Sequence, residues 1–567
     1  MFNSSDLLFV PLGGSGEIGM NANLYHYQGS WLMVDLGISF PDDSMPGIDV
    51  VLPDLSFIES RRDALAGLVL THGHEDHLGA IPYMWSKLGC PVYGSAFTLA
   101  LLRRKLAENG KQTDIPLIEI GPGSVTEIGA FSVEMVGLAH SIPDPTALAI
   151  RCEAGTVLHT GDWKFDSAPG LGEDTDRARL AEIGDEGVLA MVGDSTNAMV
   201  EGRTGSEAEA EAGLREVIAA AKGRVAISCF SSNVARIQSI VQAATANNRS
   251  VAVVGRAIRR AISAAQEVGY LRDLPDFVPE EDINLLPREN IVILCTGTQG
   301  EPRAAMAKIS AGVHESVTLD PGDTVVFSSR QIPGNEPAIS RVQDGLIRRK
   351  INLITDEDAP VHVSGHPSRD EMVEMYGLVR PHIAIPVHGT ARHLMAHAAL
   401  AESCQVHQTL LPDNGTVIRL VAGNSDAGSD AEIIDNVKTG ALTHEKGKIV
   451  EIQSDMMRAR RRMLWNGVVT ASLVMNRNGG LCTAPAVSQA GISDADATAA
   501  ADYIAAASLA IEDAIAAMGR GARRDDSRVE EITGQALRRV ARSMFGLRPV
   551  AHVHIMRLDA DDLQGVA

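Results

Sequence analysis

From residue 7 to about 195 the apolar residues fall in short β-rich runs separated by turns, over 8–12, 22–28, 31–36, 65–70, 132–136, 147–152, 157–159 and 188–192. Runs of this length, bounded by turn residues, predict strands. Several end on a polar residue with ligand capacity, which places a site along one rim of a sheet. The rhythm changes at Ser206, which with Glu209 predicts a capping box and a helix. Beyond it, strands over 224–229, 250–254, 290–295 and 324–327 alternate with helices over 233–247, 257–268 and 302–310, the βα order of a parallel sheet. Short buried strands return over 361–363 and 383–387, with a His after each. If they rejoin the first sheet, the βα unit is an insertion into the first domain and not a neighbour behind it.

Residues 422–432, rich in Gly, Asn, Ser and Asp, predict a linker surface. Beyond about 446, strands near 464–475 and 549–557 flank two helices, 493–518 with Ser493 and Asp496 as cap, and 528–544. The fold class expected is α/β. The expected domains are 1–195 with 356–425, an insertion over 196–355, a linker over 426–446 and a C-terminal αβ domain over 447–567. No internal repeat is present.

The chemistry concentrates in His72-Gly73-His74-Glu75-Asp76-His77, directly behind the apolar stretch 67–71. Imidazole and carboxylate are good zinc ligands, and their lone pairs can converge on a loop. A polar loop that happens to be rich in His would give a similar run. Four candidate ligands behind one strand, without the cysteine box of structural zinc sites, favour a metal centre. His72 and His74 alternate as strand-end residues do, while Asp76 and His77 emerge in another direction, so the segment can serve two metals. Further candidates follow other strand ends: His140, Asp162 and His388. Two zinc ions sharing Asp162 would use His72, His74 and His140 on one side and Asp76, His77 and His388 on the other. Such a pair lowers the pKa of water towards neutrality and presents a hydroxide for hydrolysis. Asp35 is expected to brace a ligating His and not to bind metal itself.

The 567 residues, 45% of them hydrophobic, suffice for several domains with sizeable cores. The first residues hold no basic segment followed by an apolar run, and no stretch of 18 or more residues lacks charge. Cys90, Cys152, Cys229, Cys295, Cys404 and Cys482 lie far apart, several in strand-like runs, as buried reduced thiols do. A cytoplasmic protein without membrane association is the expectation. The formal net charge of −22 discourages unspecific nucleic-acid binding but allows a local basic groove. Positive clusters lie at Arg103-Arg104-Lys105, at Arg256 with Arg259-Arg260, at Arg348-Arg349-Lys350 and from Arg458 through Arg462.

The hexapeptide with Asp35, His140 and Asp162 resembles the metallo-β-lactamase superfamily, whose fold is an αββα sandwich. The βα insertion, with Asp194-Ser195-Thr196, Ser364-Gly365-His366-Pro367 and Val387-His388-Gly389, resembles its nucleic-acid-processing β-CASP branch. The run from Pro11 to Gly19, the segment Leu70 to His77 and His362-Val363-Ser364-Gly365-His366 together closely resemble the bacterial ribonuclease J family, over nearly the whole chain. The C-terminal part of that likeness rests on size and pattern.

The resemblance implies a processive 5′→3′ exoribonuclease that prefers a 5′-monophosphate on single-stranded RNA. It also implies endonuclease activity, with roles in rRNA processing, RNA maturation and mRNA decay. Zinc, two ions per subunit, is the implied cofactor, with manganese or magnesium as alternatives. His366 matches the histidine that stabilises the scissile phosphate or protonates the leaving oxygen, and His362, Val363, Ser364, Gly365 and His366 match the substrate-phosphate loop. Close backbone N–H groups, a hydroxyl and an imidazolium suit an anion. Asp194 matches an acidic position that orients His366 or a ligand, and Asp76 would combine metal binding with proton handling. Ser231 and Asn233, and Ser328 and Ser329, resemble RNA-contacting loops whose short polar side chains suit sugar and phosphate. His388, where DNA-repair members have Val, implies RNA over DNA. A homodimer or homotetramer built through the C-terminal unit is implied, with an RNA-degradation complex as a conceivable setting. The alternatives are a small-molecule metallo-hydrolase, which would not need the insertion or the His366 loop, and a non-catalytic RNA-binding subunit, which would have lost ligands.

Overall fold

A computed structural model describes residues 3–41, 45–110, 115–332, 334–423, 429–445, 447–493 and 497–558. The chain divides into two compact units, Met1–Phe40 with Val50–Leu442, and Pro41–Asp49 with Thr443–Ala567.

In the first unit two mixed sheets face each other. One holds eight strands in the order Asp430–Asn436, Thr416–Val421, Leu7–Gly13, Ala22–Tyr27, Ser30–Val34, Leu65–Val69, Val92–Gly94 and Leu117–Glu119. The other holds seven, in the order Gln408–Thr409, Ile383–Val387, Ala190–Asp194, Gly155–His159, Thr146–Cys152, Phe131–Gly137 and Val125–Ile128. Side chains alternate along a strand, so each sheet turns every second residue inward. Phe9, Tyr25, Leu32 and Val69 of the first sheet share one buried cluster with Phe131, Met135, Ile150, Val157 and Ile385 of the second. Helix Ala96–Glu108 packs on Val92–Gly94 and Leu117–Glu119. Leu180, Met375, Tyr376 and Leu400, from three helices, cover the outer face of the second sheet. This is an αββα sandwich.

The chain leaves the second sheet at Asp194 and returns as Ile383–Val387, the parallel neighbour of Ala190–Asp194. The excursion contains a five-stranded parallel sheet in the order Ser250–Val254, Ile291–Cys295, Val225–Cys229, Thr324–Ser328 and Asn352–Ile354. Separate apolar clusters bury its two faces, which is why these strands read as continuous apolar runs. The insertion is therefore real, and its two ends meet side by side in the sandwich.

Two buried ion pairs lie where the insertion begins. Lys164 Nζ is 2.8 Å from Asp166 Oδ2, with both side chains fully buried. Arg236 meets Glu207 through Nε and Nη2 at 3.0 Å each, and these side chains are buried as well. Ser206 caps helix Glu207–Ala220 as the sequence predicts, accepting from the Ala208 N–H, and Asp166 takes the Glu207 N–H at 3.0 Å. A carboxylate of the sandwich thus caps the first helix of the insertion. Arg236→Met would leave the buried Glu207 carboxylate without its counter-charge and with only the Asn233 amide at 3.4 Å, a loss of about 3–5 kcal/mol. Chemical denaturation should show that loss, and adding Glu207→Leu should recover part of it.

Several sequence expectations change. Residues 361–363 form no strand: Val361 O accepts from Arg236 Nη1 at 3.1 Å and from the Ser328 hydroxyl at 2.7 Å, so side chains take the place of a ladder. The stretch 426–446, expected as a linker, carries strand Asp430–Asn436 on the edge of the first sheet and strand Ala441–Glu445; residues 426–428 and 446 lie outside the described residues. The strand expected from 464 begins at Val468, because the arginine-rich helix Asp455–Asn466 runs first. Asp496, expected as a cap, lies outside the described residues, and helix Ala497–Ala516 follows.

In the second unit, strands Ala486–Ala490, Val468–Asn476 and Val550–Leu558 make a sheet in that order. Val469, Ala471, Leu473 and Met475 pack against Tyr503, Ile511 and Leu537 of helices Ala497–Ala516 and Asp526–Phe545. All six cysteines are free thiols. Among the described residues no helix is long and apolar enough to cross a membrane.

Candidate metal centre

The hexapeptide follows strand Leu65–Val69, and His74 opens the single-turn helix Glu75–Leu78. The backbone of residues 21–38 holds that turn: Asn21 N–H donates to Asp76 O at 3.0 Å, and Leu36 N–H to His77 O at 2.6 Å. Gly37 is required there, since a Cβ on it would fall 1.7 Å from Asp76 O. Asp35 ends strand Ser30–Val34 in the left-handed region, with φ 62°. Its carboxylate accepts from the Thr71 N–H and hydroxyl at 2.8 Å each, and from His77 Nδ1 at 2.7 Å. Asp35 thus holds the ring of His77, a candidate ligand.

These hydrogen bonds also fix which ring nitrogens are free. A carboxylate only accepts, so His77 Nδ1 carries the proton and Nε2 faces Asp162 Oδ2 at 3.2 Å. The Thr71 hydroxyl gives its proton to Asp35 and accepts from His72 Nδ1 at 3.0 Å, which frees His72 Nε2. His140 Nδ1 donates to Gly365 O, which frees His140 Nε2. A Cβ on Gly365 would come within 2.7 Å of that ring, so only glycine permits the contact. His388 follows Ile383–Val387 with φ 55°, and its N–H donates to Gly14 O at 2.7 Å. Ser15–Gly16 pairs with Gly389–Thr390 alongside, which ties the N-terminal glycine-rich run to this ligand.

Among the described residues seven side chains meet in two groups, His72, His74, His140 and Asp162, and Asp76, His77, Asp162 and His388, with ligand atoms in each group within 4.8 Å of one another; Asp162, Asp194, His366 and His388 form a third such group beside them. His74 Nδ1 lies 3.1 Å from both His72 Nε2 and His140 Nε2. A proton on His74 Nδ1 could serve only one of these two acceptors whereas a cation serves all three nitrogens, and tetrahedral Zn–N bonds of about 2.05 Å would set them about 3.3 Å apart. The donor set therefore fits a metal. Asp162 Oδ2 stands between the groups, 3.2 Å from His77 Nε2, 3.4 Å from His388 Nε2, and 3.8 Å from His72 Nε2 and His140 Nε2. Asp76 Oδ2 is 3.6 Å from the Nε2 atoms of both His77 and His388.

The electrostatics of the first group agree with that fit. Burial, reinforced by neighbouring imidazoles, pushes His72 and His140 well below the usual histidine range and brings His74 down to about 3, so all three are neutral donors. Burial would raise Asp162, but His388 and His77 outweigh it and hold the carboxyl well below its usual range. Burial also lowers His77 and His388, but Asp162 and the neighbouring carboxylates outweigh it and hold both above the usual histidine range, and His366 follows them. Burial opposes its charge, yet Asp194 and Asp162 raise it to about 9. Its Nδ1 lies 2.8 Å from Asp194 Oδ2 and 3.8 Å from Asp162 Oδ2, and its side chain is 23% exposed. It is an imidazolium at the mouth of the ligand cluster.

The loop leading to His366 is held from within. His362 Nδ1 sits 3.3 Å from Arg236 Nη1, and the Ser364 hydroxyl accepts from Asn197 at 2.9 Å and from the His366 N–H at 3.2 Å. Val363 is half-buried. Two of the side chains expected to meet RNA serve the fold: Asn233 caps helix Val234–Ala246, and the Ser328 hydroxyl is engaged by Arg236 and Val361. Ser329 is also buried, which leaves Ser231 as the part-exposed member of that set. The basic clusters at 103–105 and 260 pair with Glu75, Glu108 and Glu267, joining helices Ala96–Glu108 and Arg256–Glu267.

Sequence reasoning missed three supports. The Asn21 amide nitrogen, a donor, is 3.0 Å from His388 Nδ1 and 3.1 Å from His77 Nε2, so one side chain contacts two candidate ligands; a metal on both Nε2 atoms would require that amide to turn away from His77 and present its oxygen to His388 Nδ1–H. His397, with Tyr376 on one ring nitrogen and Ser195 on the other at 2.9 Å each, braces the strand end that carries Asp194. Asn197 and Thr204 both donate to His366 O, at 3.0 and 2.8 Å. Asn21 directly follows the glycine-rich run, which was its one sequence signal.

Comparison with known proteins places these elements. The family described as Metallo-beta-lactamase superfamily matches residues 16–207, and Ribonuclease J, beta-CASP domain matches 222–346. Zn-dependent metallo-hydrolase RNA specificity domain matches 359–409, and Ribonuclease J C-terminal domain matches 455–558. A curated Ribonuclease J of Sinorhizobium meliloti is 41% identical over 564 residues, 98% of either chain. One from Mycolicibacterium smegmatis is 40% identical over 85% of either chain, and one from Helicobacter pylori is 33% identical over 84% of this chain and 69% of its own. A crystal structure of an Enterococcus faecalis protein of unknown function, 17% identical, shares the fold over 73% of this chain and all of its own, with a TM-score of 0.51.

Proposed function

Because the chain belongs to the ribonuclease J family of metal-dependent ribonucleases, we propose that it degrades single-stranded RNA from a 5′-monophosphate end, 5′→3′, and also cuts internally, with two zinc ions at its centre. The observation that carries this reading is Asp162 Oδ2, placed within 3.2–3.8 Å of four histidine Nε2 atoms drawn from two ligand groups. A carboxylate in that position suits a bridge between two cations. Within a ribonuclease family, neither a small-molecule hydrolase nor a non-catalytic binding subunit is needed to explain the site. Cytoplasmic RNA maturation and decay, and a dimer or tetramer built through the C-terminal unit, belong to the same proposal.

His72, His74 and His140 would hold one metal, Asp76, His77 and His388 the other, and Asp162 both. When bound, the metals supply Lewis acidity and a water of lowered pKa for attack on the scissile phosphorus. The residues of the chain do the rest. Asp35 and Thr71 hold His77 and His72 in the tautomers that present Nε2. Asp194 keeps the His366 imidazole charged through Nδ1, so its Nε2–H can meet a phosphate oxygen or hand a proton to the leaving ribose oxygen. Asp76, half-exposed beside His77, is placed to take a proton from the attacking water.

One RNA made with 5′-triphosphate, 5′-monophosphate or 5′-hydroxyl ends tests this reading, with product lengths resolved and metal counted. Mononucleotides released fastest from the monophosphorylated RNA, with two zinc ions per chain, are expected. Equal rates on all three ends, or internal cuts alone, would overturn the end preference. Chelation should lower both activity and thermal stability, because an ion bound only by the folded chain stabilises it; an unshifted melting temperature after complete metal removal would contradict the assigned ligands.

A further inference from the structure

Charge is distributed unevenly along the chain. Residues 447–567 carry 15 Lys and Arg against 14 Asp and Glu, whereas residues 1–446 carry 35 against 58. The whole surplus of negative charge thus lies outside the C-terminal segment, which is net positive by one. A polyanion is repelled at long range by the first part and not by the second.

Within the second unit, helix Asp455–Asn466 buries only Met457. Two of its arginines turn back to the fold: Arg460 pairs with Glu445, and Arg461 donates to Ile452 O at 3.4 Å. Arg458, Arg462 and Trp465 are exposed, Trp465 at 69%. Their spacing of i, i+4 and i+7 puts them on one stripe of the helix, about 10 Å long. Arg458 has Asp455 at 2.6 Å, an exposed pair one turn away that costs little to open. Arg548, also exposed, is tied to the end of the same helix through its N–H, which donates to Asn466 Oδ1 at 3.0 Å. The exposed indole shares this stripe with the two arginines, and Leu464 and Met456 of the same helix are exposed as well.

We propose that the stripe Arg458–Arg462–Trp465 binds single-stranded RNA outside the metal centre, with a base stacked on Trp465 and phosphates neutralised by the arginines. This rests on RNA being the substrate. Stacking on an aromatic ring with flanking cations recognises any sequence, as a processive nuclease requires. A second copy of the chain is the other candidate occupant. A two-fold pairing of this stripe with itself would set arginine against arginine, which favours the RNA.

The test uses the holoenzyme and a cleavage-resistant 2′-O-methyl RNA of about thirty nucleotides, long enough for a second contact. Trp465→Ala should weaken binding about fivefold or more and Trp465→Phe should restore most of it, while hydrolysis of a very short RNA stays unchanged. Arg458→Ala with Arg462→Ala should reduce the slope of log affinity against log salt by about 1.4. Unchanged affinity and salt slope in both variants would overturn the proposal. So would a change confined to the molecular mass by light scattering, which would make the stripe an interface between copies. If the wild-type protein neither binds nor cuts RNA, the functional reading fails first and the stripe loses its ligand with it; binding by wild type and variants alike removes the stripe alone.

Discussion

Asp162→Asn is expected to remove at least one metal ion per chain and to lower RNA hydrolysis well beyond the ~10–100-fold typical of outer-shell changes at metal sites. The amide is the same shape as the carboxylate it replaces, so packing around this buried position survives. What disappears is the negative charge that five ring nitrogens surround: the four Nε2 atoms of His72, His77, His140 and His388, and His366 Nδ1 at 3.8 Å. Without it, two cations in adjoining sites would repel each other with no anion between them. Elemental analysis of dialysed protein, together with the rate on 5′-monophosphorylated RNA, measures both consequences. Full metal content with full activity in the variant would remove Asp162 from the bridging role.

The second large effect is expected at His366. His366→Ala should lower the rate by about 10²–10⁴-fold, the usual contribution of a positioned proton donor, while leaving the metal content unchanged. That separation distinguishes it from the ligand histidines, whose loss should affect both. Asp194→Asn should act on the pH profile. Burial favours the neutral ring, and the Asp194 carboxylate is the first of the groups that overcome it. With that carboxylate gone the imidazolium is lost at lower pH, so the alkaline limb of kcat against pH moves towards acid. A limb that stays in place would mean that another group carries the titration.

How much of this could be read in the sequence depended on how local each feature is. The hexapeptide was legible because ligands, strand and turn are consecutive. Asp162, His140 and His388 were legible because each follows an apolar run, and the insertion because its βα rhythm differs from the strands around it. The Asn21 amide was not, since its meeting with His388 spans 367 residues and leaves no local pattern. The Gly365 contact with His140 and the His397 contact with Ser195 are hidden for the same reason, at separations of 225 and 202. Residues 361–363 misled because an apolar triplet needs no ladder when Arg236 and Ser328 satisfy its carbonyl. Residues 430–436 misled in the opposite sense: polar composition suits an exposed edge strand as well as it suits a linker.

The sandwich is closed by a strand that arrives after the insertion, and this sets an order in time. Asn21 and the hexapeptide leave the ribosome early, while His388, which Asn21 contacts, follows 367 residues later. At ~5–20 residues per second the delay is about 20–70 s. Six of the seven candidate ligands have been made by residue 162, so for most of that interval the nascent chain lacks only His388 from the two groups. Placing His388 after the insertion would therefore leave the second ligand group one member short until most of the chain has been made.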